Sequence, residues 1–374
     1  MLDISHENSL PLHVQLLDDL RHKIITGVIP PHKRLPSEWE LVKSLNISRA
    51  TVQRAWQAAE QEGLIYRVAG KGTFVSEPRI QNTTQLAFGL IVPDFRGSSA
   101  PRTLSGAERV LRQRGYSVQV ASTEYSLEQE NRILRQMVDD GVCGCILWGV
   151  KGQNEGRYLA QIAGKFPVVL IDRTLDGLSF PCVSSNSYAG GMQAMQHLIE
   201  LGHERIAFLA RPHTHLWTVS ERLRAYNDPM QAAGYEALPP ILVGDEKELS
   251  SFNAYLTSDD QLLQPLVDVL QGADRPTAIF AVNDWMAIRA LRAAKYAGLH
   301  VPDDLSLVGF DNLDIVDYLT PPLTTIAQNA ELMGAEAARR LLALTDGEPS
   351  EAVLTLLPTR LIVRQSTSAI EKGN

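Results

Sequence analysis

AIFAVNDWMAIRALRAAKYAGLHVPDDLSLVGFDN, residues 278–312, decides the fold class. Two apolar runs, Ala278–Val282 and Leu305–Phe310, bracket a helical segment, and each run stops at polar residues: Asn283-Asp284 and Asp311. A strand, a helix and a second strand in that order imply parallel pairing, because the crossover returns the chain to the same edge of the sheet. The pattern repeats outward. Further strands are predicted at Leu86–Val92, Ser117–Ala121, Gly144–Trp148, Val168–Ile171 and Arg205–Leu209. The segments between them carry helical spacing, as in Met192, Met195, Leu198 and Ile199. About 290 residues of such alternation exceed one doubly wound sheet and suit two lobes.

Polar groups end several of these strands: Asp94, Asp172, Asn283, Asp284 and Asp311. Open parallel sheets bind ligands at the carboxyl ends of their strands. Carboxylates there accept paired hydrogen bonds from neighbouring hydroxyls, and Arg222 and Arg173 supply donors. Phe95, Trp148 and Trp217 offer apolar faces for a ring. No GxGxxG follows the first strand, so the fingerprint of a dinucleotide cofactor is missing, and no cofactor or metal is expected.

Upstream of residue 80 the periodicity differs. Leu12, Leu16, Leu20 and Ile24 give a first helix one apolar stripe. Ser37 with Glu40 forms a capping box for a second helix, Asn46-Ile47 makes a turn, and Ser48 caps a third helix that ends before Gly63. Residues 64–68 and 73–75 read as a hairpin with a glycine-rich tip. Val52, Ala55, Trp56 and Ala59 share the inner face of the third helix, leaving Arg49, Ala50, Gln53, Arg54 and Gln57 outward. A helix-turn-helix reads bases with such a second helix: Arg suits guanine and Gln suits adenine, while Ser48 and Thr51 donate to phosphate. A polar stretch from Glu77 to Gln85 reads as the join. The predicted domains are 1–78 (winged helix-turn-helix), 79–85 (linker) and 86–374 (two-lobed α/β body).

The net charge of −8 divides unevenly. Residues 1–80 hold ten Lys/Arg against nine Asp/Glu, leaving 25 against 34 in the remainder. The acidic excess belongs to the body, and a near-neutral head binds DNA when its basic groups share one face. Cys143, Cys145 and Cys182 lie in apolar stretches and are expected as buried thiols. The polar N-terminus has no secretory pattern and no apolar run has membrane length, so a cytoplasmic location is expected.

Residues 11–75, PLHVQLLDDLRHKIITGVIPPHKRLPSEWELVKSLNISRATVQRAWQAAEQEGLIYRVAGKGTFV, resemble the winged head of the GntR family. The matching signatures are RLPSE (34–38), ISRATV (47–52), EGLI (62–65) and GKGTFV (70–75). The resemblance implies a homodimer on palindromic double-stranded operator DNA, with contacts from Arg34, Glu38, Ser48, Arg49, Thr51, Lys71 and Gly72; the helix pattern adds Gln53 and Arg54. The chain departs from the family at Trp39 and Gln53, where Arg is usual or frequent.

The body resembles the periplasmic-binding-protein-like effector domain of the LacI/GalR repressors. The stretches that carry this are LAFGLIVPDF (86–95), VVLIDR (168–173), NSYAGGMQAMQHLIELGHERIAFL (186–209), residues 278–312, and PLTTIAQNAELMGAEAARRLL (322–342). It implies a cleft lined by Asp94, Asp172, Arg222, Asn283, Asp311 and Gln328, with Ser185 where the family carries Asp. A GntR head on this body is similar to the arabinose-repressor type.

Each residue also has a plain structural reading. Asp284 and Asp311 also read as helix caps, Trp148 as core, Trp217 as a loop aromatic, Arg173 as the partner of an acid, and His203 as structural. The expected function is a repressor of carbohydrate metabolism genes released by a small sugar-like effector. The alternative is a corepressor-dependent regulator that binds a purine or another metabolite. An enzyme is not expected, since no GxSxG, P-loop or metal motif is present.

Overall fold

The computed structural model describes residues 11–76, 86–95, 99–150, 158–175, 177–212, 214, 216–244, 263–348 and 354–370. The chain divides into two compact units, residues 1–84 and 85–374. The linker expected at 79–85 lies outside the described residues.

The first unit contains α1 (Leu12–Ile25), α2 (Glu38–Leu45), α3 (Arg49–Gln61), β1 (Ile65–Val68) and β2 (Gly72–Val75). The capping box forms: Ser37 Oγ accepts from the Glu40 amide, and Glu40 accepts from the Ser37 amide at 2.6 Å. Asn46 ends α2 in the left-handed conformation, φ 52°, which Asn tolerates and which turns the chain into α3. Ser48 caps α3 through the Thr51 amide. Leu16, Leu20, Leu41, Val52, Ala55, Trp56 and Ala59 make the core, closed by Ile65 and Val75 of the antiparallel hairpin.

The second unit has two lobes. The first opens with β3 (Ala87–Val92), α4 (Ser99–Gln113), β4 (Ser117–Ser122), α5 (Leu127–Asp139), β5 (Cys145–Leu147), α6 (Tyr158–Ile162), β6 (Val168–Ile171) and β7 (Cys182–Ser185). The second lobe follows with α7 (Ser187–Glu200), β8 (Ile206–Ala210), α8 (Trp217–Ala232), β9 (Ile241–Leu242), α9 (Gln264–Gln271), β10 (Ala278–Ala281), α10 (Asp284–Tyr296), β11 (Ser306–Asp311), a 3-10 turn (Asp314–Tyr318) and β12 (Thr324–Ala327). The chain then returns to the first lobe for α11 (Ala330–Thr345) and β13 (Leu354–Leu357), and ends in the second with β14 (Arg360–Ile362).

The first sheet runs β13-β7-β6-β5-β3-β4, wholly parallel; the second runs β14-β12-β11-β10-β8-β9, with only β14 antiparallel. All seven predicted strands are present. Five more, β7, β9, β12, β13 and β14, lacked a readable signal. β9 has two residues, β12 follows the turn-like Pro321-Pro322, and β13 and β14 are separated by Pro358. β7 is buried along its whole length yet ends in two serines.

Crossings between lobes occur at Asn186, between Ala327 and Ala330, and between Leu357 and Arg360. The first and third are bonded to each other, since the Asn186 amide donates to the Leu357 carbonyl at 2.8 Å. In the first lobe α4 and α11 cross with no side chain between them. A Cβ at Gly106 would lie 1.9 Å from the Glu331 carbonyl oxygen, and one at Gly334 1.9 Å from that of Thr103. Glycine at both positions lets the backbones touch.

The thiols of Cys145 and Cys182 are buried and unpaired. Burial pushes Cys145 up and Cys182 up to about 12, so neither is a nucleophile at neutral pH. Cys143 is half-buried, short of the full burial expected for it. His203 is structural: its ring bonds Thr277 Oγ1 at 3.0 Å and the Ser368 carbonyl at 3.2 Å, and burial lowers its pKa.

Candidate functional site

Two clusters carry polar chemistry beyond what packing requires. In the head, α2 and α3 bring three predicted residues, Glu38, Arg49 and Gln53, into contact. Glu38 accepts from Arg49 Nε and Gln53 Nε2, each at 3.2 Å, and lies 3.8 Å from Arg67. The carboxylate thus fixes the direction of two side chains on the outward face of α3. Ser48 and Thr51 hydroxyls bond each other at 2.8 Å while Ser48 also caps α3, so the cap and an exposed hydroxyl pair coexist. Arg54 is exposed on the outer face of α3. Gly72, φ 114°, leaves room for the Arg34 guanidinium, whose Nε would stand 3.0 Å from a Cβ there; Lys71 is exposed at the same tip. Arg34 also bridges to Phe74, joining the loop before α2 to the hairpin. Arg67, absent from the sequence-based set, shares Glu38; strand alternation alone gave no reason to single it out.

In the body, eight of the ten predicted residues follow or end strands at carboxyl ends, as open parallel sheets require. Asp172, just past β6, accepts at Oδ2 from Trp148 Nε1 (3.0 Å) and from Arg173 Nε (2.8 Å) and Nη2 (2.6 Å). Its Oδ1 has no hydrogen-bond partner among the described residues. Asp311, the last residue of β11, is bonded by Gln328 at Oδ1 and lies 3.9 Å from Arg222 Nη1; its Oδ2 is likewise unpartnered among the described residues. Both aspartates hold positive φ, 68° and 116°, a backbone state that favours glycine. Such strain persists where the surroundings over-determine a side chain's position.

Arg222 is buried on α8, which begins at Trp217. It donates to the Val282 carbonyl at 2.6 Å and lies 3.7 Å above the Phe310 ring centroid. Its Nε has no acceptor among the described residues. Burial lowers its pKa while Asp311, Asp172 and Asp284 hold it charged; burial likewise pushes Asp311 up to about 6, with Arg222 opposing the rise and Asp172 adding to it. The strand ends of the two lobes therefore share one electrostatic site.

Other residues resolve differently. Asn283 caps α10, its Oδ1 accepting from the Met286 amide at 2.9 Å, so Asp284 is not the cap. Asp284 is fully buried, accepting from Thr325 Oγ1 (2.5 Å) and the Leu313 amide (2.8 Å). Asp311 caps nothing either. Arg173 does pair with an acid, and Trp148 packs beside the first-lobe core. Trp217 opens α8 half-buried and is not a loop aromatic. Phe95 is exposed and is not brought onto either aspartate cluster by any described contact. Tyr125, which donates to the buried Asp94 at 2.5 Å, was missed; it follows β4 and the strand-end rule would have found it. Ser185, also at a strand end, has a buried hydroxyl without a partner among the described residues.

Residues 12–75 match the model of bacterial regulatory proteins of the gntR family, and residues 195–367 that of a periplasmic binding protein-like domain. An arabinose metabolism transcriptional repressor from Geobacillus stearothermophilus is 31% identical over 97% of this chain and 100% of its own length. The chain belongs to the GntR family of transcriptional repressors. This GntR regulator pairs that head with a LacI-type body, and it is a DNA-binding protein and not an enzyme. A putative ribose operon repressor from Burkholderia thailandensis matches with TM-score 0.64 and 30% identity over 74% of this chain and 99% of that one. The lac repressor dimer bound to operator and an anti-inducer matches with TM-score 0.65 and 25% identity, over 78% and 99%. Among the described residues no helix is long and apolar enough to cross a membrane.

Proposed function

We propose that the body of this repressor binds a neutral monosaccharide, with arabinose the first candidate, and that binding releases the head from its operator. The observation that carries the reading is the pair Asp172 and Asp311. Each is clamped through one carboxylate oxygen and presents the other, with a buried, incompletely bonded Arg222 beside them. Two such acceptors and a guanidinium match the alternating hydroxyls of a sugar ring. The acids outnumber the arginines, which disfavours phosphosugars and sugar acids. The relative that spans the whole chain is named for arabinose metabolism, which favours a sugar inducer over the purine alternative.

The head, residues 1–78, binds a palindromic operator as part of a cytoplasmic homodimer. Arg49, Gln53 and Arg54 face the bases, Ser48 and Thr51 the phosphates, and Arg34, Lys71 and Gly72 the wing side, with Glu38 ordering the readers. Closing the lobes of residues 86–374 around the sugar changes the spacing of the two heads across the linker at 79–85. A symmetric operator tolerates little change in that spacing.

The test is a thermal-shift screen of pentoses, hexoses and their phosphates, followed by operator titration. A pentose at 100 times its Kd is expected to add about 2.7 kcal/mol of stability. It is expected to weaken operator binding in the parent, while Arg49→Ala lowers operator affinity by about 1–3 kcal/mol without changing the sugar response. A shift by phosphosugars alone, or an Arg49→Ala protein that binds operator as the parent does, overturns the respective half.

A further inference from the structure

Trp39 is an apolar side chain that stability does not explain. It is the second residue of α2, 69% exposed, and absent from the head's core, whereas Trp56 of α3 is wholly buried. A tryptophan contributes to folding by removing its large surface from water, which Trp39 does not do. Its ring lies instead 5.9 Å beneath the Arg49 guanidinium, whose Nε is held by Glu38, the neighbour of Trp39 in sequence. Arg49 is thereby bounded by a carboxylate and an aromatic face, and its two terminal nitrogens have no hydrogen-bond partner among the described residues. An indole has one N–H, no acceptor and a broad apolar face. The only apolar group that a base edge offers in the major groove is the thymine C5-methyl.

We propose that Trp39 is a specificity-determining residue: it packs on the methyl of a thymine beside the base read by Arg49, so that each half-site prefers an A·T pair there. This rests on α3 being the reading helix. The geometry also makes Trp39 the lower wall that keeps Arg49 aimed, since the guanidinium and the ring attract each other.

The experiment uses the full-length chain and duplexes selected from a random library by the parent protein. Each thymidine of the selected half-site is replaced in turn by deoxyuridine, which removes the methyl alone. The parent is expected to lose about fourfold affinity per half-site at one position, the size of one buried methyl. Trp39→Ala, which alters an exposed side chain, is expected to keep the parent's melting temperature and to show no response to that replacement. Library selection with Trp39→Ala is expected to lose the A·T preference at the same pair. A parent indifferent to deoxyuridine everywhere overturns the proposal. So does a Trp39→Ala protein that weakens on all sequences equally yet retains the deoxyuridine response, which would make Trp39 a backbone anchor. Arg49→Ala run in parallel separates the two levels. If it loses selectivity while Trp39→Ala does not, only the thymine contact fails; if neither loses selectivity, α3 is not the reader.

Discussion

Replacing Arg222 by Met keeps an unbranched chain over the Phe310 ring but removes the charge together with the hydrogen bond to the Val282 carbonyl. At 3.9 Å from Asp311 and an effective dielectric of about 20, the lost attraction is about 4 kcal/mol before desolvation is counted. Removing one partner of a buried pair commonly costs about 3–5 kcal/mol, because the survivor is left uncompensated. Asp311 has an escape: burial has already pushed its carboxyl up to about 6, and without the arginine it rises further and takes a proton. We therefore expect a loss of about 2–3 kcal/mol at pH 7.5, below the full range for a broken pair. For a domain of this size that is a fall in Tm of about 3–5 °C. The sign of the pH dependence follows. A carboxyl with a raised folded-state pKa stabilises least at high pH, so the deficit of Arg222→Met should grow from pH 5.5 to pH 8. Adding Asp311→Asn should recover part of the loss, giving a coupling of about 1–3 kcal/mol in the double-mutant cycle. Thermal and urea melts of the four proteins at three pH values measure it. Additive single effects, or an Arg222→Met protein within about 0.5 kcal/mol of the parent at pH 7.5, would refute the pairing.

Asp284 supplies a second pH signature. Burial pushes it up to about 8, so it contributes least once ionised, and parental stability should fall as pH rises from about 4 through 8. Asp284→Asn should flatten that slope, and an unchanged slope in a pH series of melts would remove Asp284 as its source. Gly334→Ala places a Cβ 1.9 Å from the Thr103 carbonyl oxygen, against an ordinary carbon–oxygen contact of about 3.3 Å. Since α4 and α11 must separate, a loss of about 3 kcal/mol or more is expected in urea unfolding, and an unchanged midpoint would show that the helices yield freely.

Much of the architecture was written locally. The capping box at Ser37 and Glu40, the αL turn at Asn46 and the inner face of α3 depend on neighbours a few positions apart, and each appears as predicted. The strand-end rule placed Asp172 and Asp311 correctly because chain direction in a parallel sheet is fixed by its crossovers. It did not say which polar residue at an end turns to capping: Asn283 supplies the cap expected of Asp284, and Asp284 is buried against Thr325 and the Leu313 amide. Contacts between distant segments were not legible. That Glu38 binds both Arg49 and Gln53, or that Arg222 stacks on Phe310, depends on how elements pack, which no periodicity records. The same holds for β13 and β14, short edge strands whose partners lie far away in sequence.

The triple passage of the chain between lobes has a consequence during synthesis. The first lobe's sheet begins at Ala87 but waits for α11 and β13, and the second waits for β14, so neither lobe closes until residues beyond 354 have been made. Through most of translation the ribosome holds a finished N-terminal unit followed by two incomplete sheets with open edges and uncovered apolar faces. A premature stop at residue 330 would therefore abolish two lobes at once while leaving the head's own core intact. The product would be a folded head stripped of the whole body through which it is regulated.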